Sequence, residues 1–258
     1  MAGLLRFGYT VWSMNPRDLA VRGLRKAARF IAGDPPPTIY LEDEFITWLK
    51  FANAGMLEPG NLHLMDYAIS QCPSDAPILE IGSFCGLSTN VLRHFLRKHH
   101  SNNRLFTCDK WEFENRNGTH IRSSKVTFDD YRTFVRDSFI RNVRMFSQDD
   151  LPFTIEALSK QFFDLWERNQ LVSDIFARPV RLGGPLSFCY IDGDHTYEGA
   201  KIDFEGCDKL LERGGFLLFD DSALKHFGVS QLMPEIEEDS RYRLIARNPN
   251  HLFQKIGS

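Results

Sequence analysis

The 258-residue sequence is short of cysteine, of long apolar runs and of an excess of either charge. Its five cysteines, Cys72, Cys85, Cys108, Cys189 and Cys207, are odd in number and never form a C-x-x-C pair. That points away from a disulfide framework and from a zinc site of the usual spacing. Three of them fall in or beside expected core strands, as buried thiols do, and a reducing, cytoplasmic setting is expected. No apolar stretch approaches the roughly 20 residues of a membrane span, and Arg6 interrupts the only apolar start, which argues against a cleaved signal peptide. With 31 basic and 34 acidic residues the formal net charge is -3, far from the strongly basic balance of a nucleic-acid binder. The expected partner is a small molecule. Neither an internal repeat nor a low-complexity tail is present, and the length suits one large α/β domain with an extension.

What is there begins with a basic amphipathic pattern. Asn15-Pro16 supplies a cap followed by proline at the first helical position, so a helix is expected to run to about Gly33. Leu19, Val21, Leu24, Ala28 and Ile31 fall near one face, and five basic residues between Arg17 and Arg29 cover much of the rest. Such a helix packs on its own domain, on a second subunit, or on an anionic membrane; a homo-oligomer is compatible, and membrane attachment is the less favoured reading. Pro35-Pro36-Pro37 is a stiff break, giving an extension over 1–37 and a main domain over 38–258. Helices are expected over Leu41–Phe51 and Leu62–Ile69, with Gly55 and Pro59-Gly60 between them.

Ile78–Ile81 is a short apolar run, followed by Gly82-Ser83-Phe84-Cys85-Gly86 and a helical pattern through Val91, Leu92, Phe95 and Leu96. Strand, glycine turn and helix in that order form a nucleotide-type βα unit. A dinucleotide fingerprint needs its second glycine two residues after the first, where Phe84 stands, so NAD is disfavoured. The spacing Glu80-x-Gly82-x-x-x-Gly86 suits a cofactor without phosphates, and S-adenosylmethionine, with a carboxylate meeting helix-end N–H groups, is the obvious one. A second strand, Arg104–Cys108, ends in Asp109, 23 residues after Gly86, a position from which a carboxylate can reach ribose hydroxyls. Glu112–Arg136 is polar and basic and is expected to form a loop or extra helix over the pocket. A short third strand is expected at Val143–Phe146, delivering Ser147 and Gln148 to hydrogen-bond adenine. Leu158–Leu171 reads as a helix, and 172–185 as an insertion acting as a lid or an oligomer contact.

Phe188–Ile191 and Phe216–Phe219 are apolar runs without alternation, as in strands of a parallel sheet covered on both faces. They end in Asp192 and in Asp220-Asp221, with His195 three residues beyond Asp192. Ligands in such sheets bind outside the carboxyl ends of the strands. Three carboxylates there repel one another without a cation and suit octahedral Mg²⁺. His195 is a candidate base; alternatively it caps the following helix or bonds a carboxylate. Arg241–Ala246 and Leu252–Ile256, joined by Asn248-Pro249-Asn250, are expected as an antiparallel edge hairpin.

Residues 78–222 resemble the class I S-adenosylmethionine-dependent methyltransferases, and more narrowly their metal-dependent small-molecule O-methyltransferases. Ile78 to Ser88 is similar to the first motif of the catechol O-methyltransferases, and Ser147-Gln148-Asp149 with Pro152 to their adenine-contacting turn. The resemblance implies a Rossmann-like, mostly parallel sheet. It also implies Glu80, Gly82, Ser83, Gly86 and Ser88 around the methionine moiety, Asp109 at the ribose, Ser147 and Gln148 at adenine, and Asp192 beside cofactor and metal alike. Asp192, Asp220 and Asp221 take the places of the Mg²⁺ ligands. The catechol enzymes carry a lysine where His195 stands; a histidine there resembles instead the macrolide-sugar O-methyltransferases. The expectation is a Mg²⁺-dependent O-methyltransferase acting on a hydroxyl of a sugar or glycosylated small molecule. The alternatives are a phenolic O-methyltransferase of catechol or caffeoyl type and a non-catalytic S-adenosylmethionine-binding protein.

Overall fold

A computed structural model describes residues 38–112 and 119–257; the helix expected over 16–33 and the extension over 1–37 lie outside the described residues. In chain order the elements are α1 (Glu44–Ala52), α2 (Pro59–Ser70), β1 (Ile78–Ile81), α3 (Leu87–Lys98), β2 (Leu105–Cys108), α4 (Phe128–Phe146), β3 (Phe153–Ile155), α5 (Ser159–Glu167), β4 (Leu171–Ser173), β5 (Pro179–Arg181), β6 (Leu186–Ile191), α6 (Tyr197–Leu210), β7 (Leu211–Phe219), α7 (Val229–Glu238), β8 (Tyr242–Arg247) and β9 (His251–Lys255).

Seven strands form one sheet in the order β3-β2-β1-β6-β7-β9-β8. β3, β2, β1, β6 and β7 run parallel, whereas β9 pairs antiparallel with β7 and with β8. This is the Rossmann-like sheet with a C-terminal antiparallel hairpin expected from the sequence. β1, β2 and β6 are buried at every position, which is why their sequences show continuous apolar runs rather than alternation. One core layer packs Phe106, Phe162, Trp166, Cys189, Leu217 and Phe253 under α5, α6 and α7. The other packs Leu49, Met65, Val91, Phe95, Phe188 and Leu218 under α1, α2 and α3.

The strand expected at Val143–Phe146 is instead the end of α4. Val135, Phe139 and Val143 are its buried residues, spaced four apart as a helix face requires, and a Thr127–Asp130 capping box fixes its start. The true third strand is only Phe153-Thr154-Ile155. In the insertion at 172–185, β4 and β5 form a two-stranded antiparallel ribbon. Ile175 N donates to Thr154 O at 3.0 Å, and the Arg178 guanidinium donates to the Leu151 and Pro152 carbonyls while pairing with Asp174. The ribbon thus covers the exposed edge of β3, as sheet edges require.

α5 and α6 approach through Gly206, where a Cβ atom would lie 2.2 Å from ring carbons of Phe163. Gly206→Ala is expected to lose about 1–3 kcal/mol of stability through overpacking, read as a lower urea midpoint with an unchanged denaturant slope.

Candidate active site

The carboxyl ends of the parallel strands lie level. Gly82 N donates to Cys108 O (3.0 Å), Asp109 N to Ile155 O (3.3 Å), Asp192 N to Ile81 O (2.8 Å) and Asp220 N to Ile191 O (2.9 Å). The first residues beyond β1, β2, β6 and β7 therefore sit on one rim, with Glu156 following β3. The strand order reverses between β1 and β6, so this rim holds the crevice where open α/β sheets bind ligands.

After β1 the chain makes a tight turn, closed by Gly86 N donating to Ser83 O at 2.7 Å. Gly82 has φ +79° and Gly86 φ +87°, conformations that favour glycine. A Cβ on Gly82 would lie 1.8 Å from the Asp192 carbonyl oxygen, so this glycine is required by a close approach of backbones. Gly86 caps α3 without any side-chain hydrogen bond, leaving the first N–H groups of the helix for a ligand. A hollow of about 40 Å³ lies against the turn, lined by Ser83, Phe84, Leu87, Ser88, Asp192 and the 55–57 loop.

The carboxylates singled out in the sequence fall into two sets. Glu80 is fully buried and accepts the Ser88 and Thr89 hydroxyls at 2.5 Å each. Burial pushes its carboxyl up to about 8 despite those donors. It therefore holds the first turn of α3 through Ser88 and Thr89. Asp109 accepts Ser83 N, Ser83 Oγ and Phe84 N on Oδ2 and Trp111 N on Oδ1. Asp220, 5% exposed, accepts Asn61 Nδ2 (2.8 Å), Asn250 Nδ2 (2.6 Å) and Asp221 N (2.8 Å) on Oδ1, and Tyr190 OH (2.5 Å) on Oδ2. Burial raises its carboxyl, while the Tyr190, Asp221 and Asn61 donors pull the other way.

Asp192 and Asp221 are different, with 25% and 28% of their side chains exposed. His195 Nε2 lies 3.6 Å from Asp192 Oδ1 and 3.1 Å from Asp221 Oδ2. The neighbouring Asp192 and Asp221 carboxylates raise the imidazole to about 10. Thr196, not His195, caps α6, accepting Gly199 N at 3.0 Å, and the His195 ring rests against Phe227 at 4.7 Å. Among the described residues, Asp192, His195 and Asp221 are the group whose ligand atoms converge, all within 4.8 Å of one another. Asp220 stands behind Asp221 and fixes that residue's backbone at φ +53°.

Ser147 and Gln148 are not at this rim. They follow α4 and precede β3, because the strand expected to deliver them is helical; Ser147 is fully buried and donates to Asn90 Oδ1 at 2.6 Å. The residues that follow β3 are Glu156 and Ala157, at one end of a hollow of about 650 Å³ between Arg136, α5 and the ribbon. That larger hollow extends along α5 away from the His195 cluster and is not where the acid–base groups converge. Asn61 and Trp111 carry no signal in the sequence, and Asn250 shows there only as a turn residue. Asn61 and Asn250 serve Asp220 from 159 and 30 residues away, a separation at which no local pattern signals a pairing.

Glu80 gives a test in the apo protein. Its folded carboxyl keeps its proton to about 8, against 4.5 for the unfolded chain, so the folded state binds more protons between those values and stability falls as pH rises through that window. Measured by urea unfolding from pH 4 to 9, wild type is expected to lose stability relative to Glu80→Gln across this range, by an amount on the order of a few kcal/mol.

Residues 79–222 match a family model described as a methyltransferase domain. The fold is similar to that of an O-methyltransferase from Bacillus cereus in complex with SAH (15% identity, 90% of this chain and 97% of that one, TM-score 0.53). It is also similar to the O-methyltransferase TomG from Streptomyces achromogenes in complex with SAM (14%, 95% and 100%, TM-score 0.53). A third likeness is to CalS11, a TDP-rhamnose 3'-O-methyltransferase of calicheamicin biosynthesis (14%, 95% and 97%, TM-score 0.50).

Proposed function

The chain belongs to this methyltransferase-domain family, and from that premise we propose that it is a Mg²⁺-dependent O-methyltransferase that uses S-adenosylmethionine on a hydroxyl of a sugar or glycosylated small molecule. The observation that carries the reading is the convergence of Asp192, His195 and Asp221 beside a glycine turn whose helix has no side-chain cap.

The turn suits the amino-acid end of the methyl donor. The free N–H groups at the start of α3 favour a carboxylate, Ser83 and Ser88 line the adjoining hollow, and Asp192 is the carboxylate with surface there. The donor supplies an electrophilic methyl group. Glu80 fixes the first turn of α3 through Ser88 and Thr89, and the ends of β2 and β3 border the ground left for ribose and adenine. Ser147 and Gln148 have no part in this arrangement.

The cation site fits by its donor chemistry. Asp192 and Asp221 present hard oxygen donors on either side of His195 Nε2, 3.6 and 3.1 Å from it. Bound Mg²⁺ would supply Lewis acidity at the acceptor hydroxyl. Asp220, with its four donors, orients Asp221. His195 Nε2, held against Phe227, is the group placed to take the hydroxyl proton, a task an alcohol demands more than a phenol does. Holding acceptor and donor in line supplies the remaining rate. CalS11 is described as acting on a TDP-sugar, which is consistent with an alcohol acceptor.

His195→Gln is expected to lower kcat by about 10²–10⁴-fold with the KM for S-adenosylmethionine little changed, measured by S-adenosylhomocysteine release over a panel of glycosylated and phenolic acceptors. Turnover restricted to phenols would replace the sugar reading by the phenolic one. Dialysis against a chelator is expected to abolish turnover and readdition of Mg²⁺ to restore it; full activity after chelation would remove the cation from the proposal.

A further inference from the structure

The geometry points to Phe227 as a positioning residue for His195: the segment after β7 returns to the turn after β6 and lays an aromatic ring against the imidazole. Its catalytic consequence rests on the reading of His195 as the base given above.

Both carboxylates meet His195 at one atom, Nε2, which lies 3.6 Å from Asp192 Oδ1 and 3.1 Å from Asp221 Oδ2. A histidine's terminal torsion is broad, so two contacts at a single nitrogen do not by themselves set the plane of the ring. Phe227 supplies a flat surface for it. The ring centroids are 4.7 Å apart and the planes 30° from parallel, close to the offset stacking that aromatic pairs favour. His226 lies against the same phenyl ring at 4.3 Å, so Phe227 touches two imidazoles.

The backbone explains why the phenyl ring stands where it does. Leu224 N donates to Asp221 O and Phe227 N to Leu224 O, each at 3.0 Å, so two successive turns carry the chain from Asp221 back toward His195. The Phe227 carbonyl accepts Ser230 Oγ at 2.9 Å, and Gly228 N donates to His195 O at 2.8 Å. Gly228 packs so closely that a Cβ there would lie 2.1 Å from Tyr197 N and 2.6 Å from Thr196 C; only glycine fits the gap. Beyond it Val229, Leu232 and Met233 of α7 are buried in a core layer. Residue 227 is thus held through its amide, its carbonyl and its neighbour, and its side chain forms a wall whose place beside His195 is set by backbone. Because the same strap begins at Asp221, the imidazole and the acidic cluster share one frame.

Phe227→Leu and Phe227→Met keep apolar bulk and remove the flat ring, whereas Phe227→Tyr keeps the ring. With turnover measured as S-adenosylhomocysteine release, the two ringless variants are expected to lower kcat about tenfold while the KM for acceptor and for S-adenosylmethionine changes by less than about twofold. Phe227→Tyr, the conservative variant, is expected to rescue kcat to within about threefold of wild type. In a His195→Gln background, Phe227→Leu is expected to lower kcat by less than about twofold, since a residue that acts through His195 then has nothing to position. A side chain that only walls the acceptor raises the acceptor KM equally in both backgrounds, and that pattern overturns the proposal. In the ligand-free protein, the His195 ring-carbon protons, assigned by their loss in His195→Gln, are expected to resonate upfield through the Phe227 ring current. That shift is expected to vanish in Phe227→Leu and Phe227→Met and to persist in Phe227→Tyr, with the His251 signals unmoved throughout. A His195 signal unchanged in both ringless variants overturns the proposal. Wild-type protein that methylates no acceptor sinks the methyl-transfer reading, and the proton spectrum then decides the positioning role by itself.

Discussion

The candidate site depends on how closely the backbone after β1 approaches the backbone after β6. At Gly82 the two chains come so near that a Cβ would lie 1.8 Å from the Asp192 carbonyl oxygen, while Asp192 N donates to Ile81 O at 2.8 Å. The glycine turn and the acidic cluster are therefore one rigid unit with a shared backbone contact. Because the sheet reverses its order between β1 and β6, the helices that follow these strands diverge to opposite faces and leave the rim between them open. A methyl donor seated on the turn and an acceptor seated at the cluster would consequently meet across a gap whose width is set by strand pairing. Relative position of this kind is what an in-line transfer between two bound molecules requires.

Charge is arranged around that gap with some economy. Buried carboxylates need partners, and three of those at the rim have theirs built in: Glu80 from two hydroxyls, Asp109 from the turn, Asp220 from two amides, a phenol and a backbone N–H. These groups set the shape of the turn and the backbone of Asp221. Among the described rim carboxylates, Asp192 and Asp221 keep side-chain surface toward the crevice, with His195 Nε2 against both; burial and the neighbouring Asp220 raise the Asp192 carboxyl well above its usual range. A base must be neutral before it can accept a proton. Asp192 and Asp221 are the residues that would hold a bound cation, and its charge there would favour the neutral imidazole that a base requires.

Much of this was legible in the sequence because much of it is local. β1 was read with its observed bounds, and the strands ending at Cys108, Ile191 and Phe219 with their observed ends, since fully buried parallel strands declare themselves as unbroken apolar runs. β3 was misplaced because it is three residues long and because Val143, Met145 and Phe146 mimic a strand when the helical spacing back to Phe139 and Val135 is ignored. Ser147 and Gln148 went astray with it. The division of the carboxylates into occupied and available was not legible at all. It turns on Asn61, Asn250, Trp111 and Tyr190, side chains that reach the rim from other elements, and a strand-end aspartate reads the same whether its oxygens are engaged or open.

The same distance from sequence applies to the turn itself. Phe84 stands where a dinucleotide-type turn has its second glycine, and the turn it occupies is held at both ends. The Cys85 carbonyl accepts Asn53 Nδ2 at 3.0 Å and Asn142 Nδ2 at 2.8 Å, and Asn53 is tied through Asn90 to Ser147. Side chains from the end of α1, from α4 and from the segment after β2 thus all converge on residues 83–85. A glycine-rich turn carries its conformation in its own sequence; this one draws its conformation from the tertiary structure. Binding at the turn and packing of α4 are therefore not separable, and a change deep in α4 reaches the cofactor crevice through the Cys85 peptide without touching any ligand.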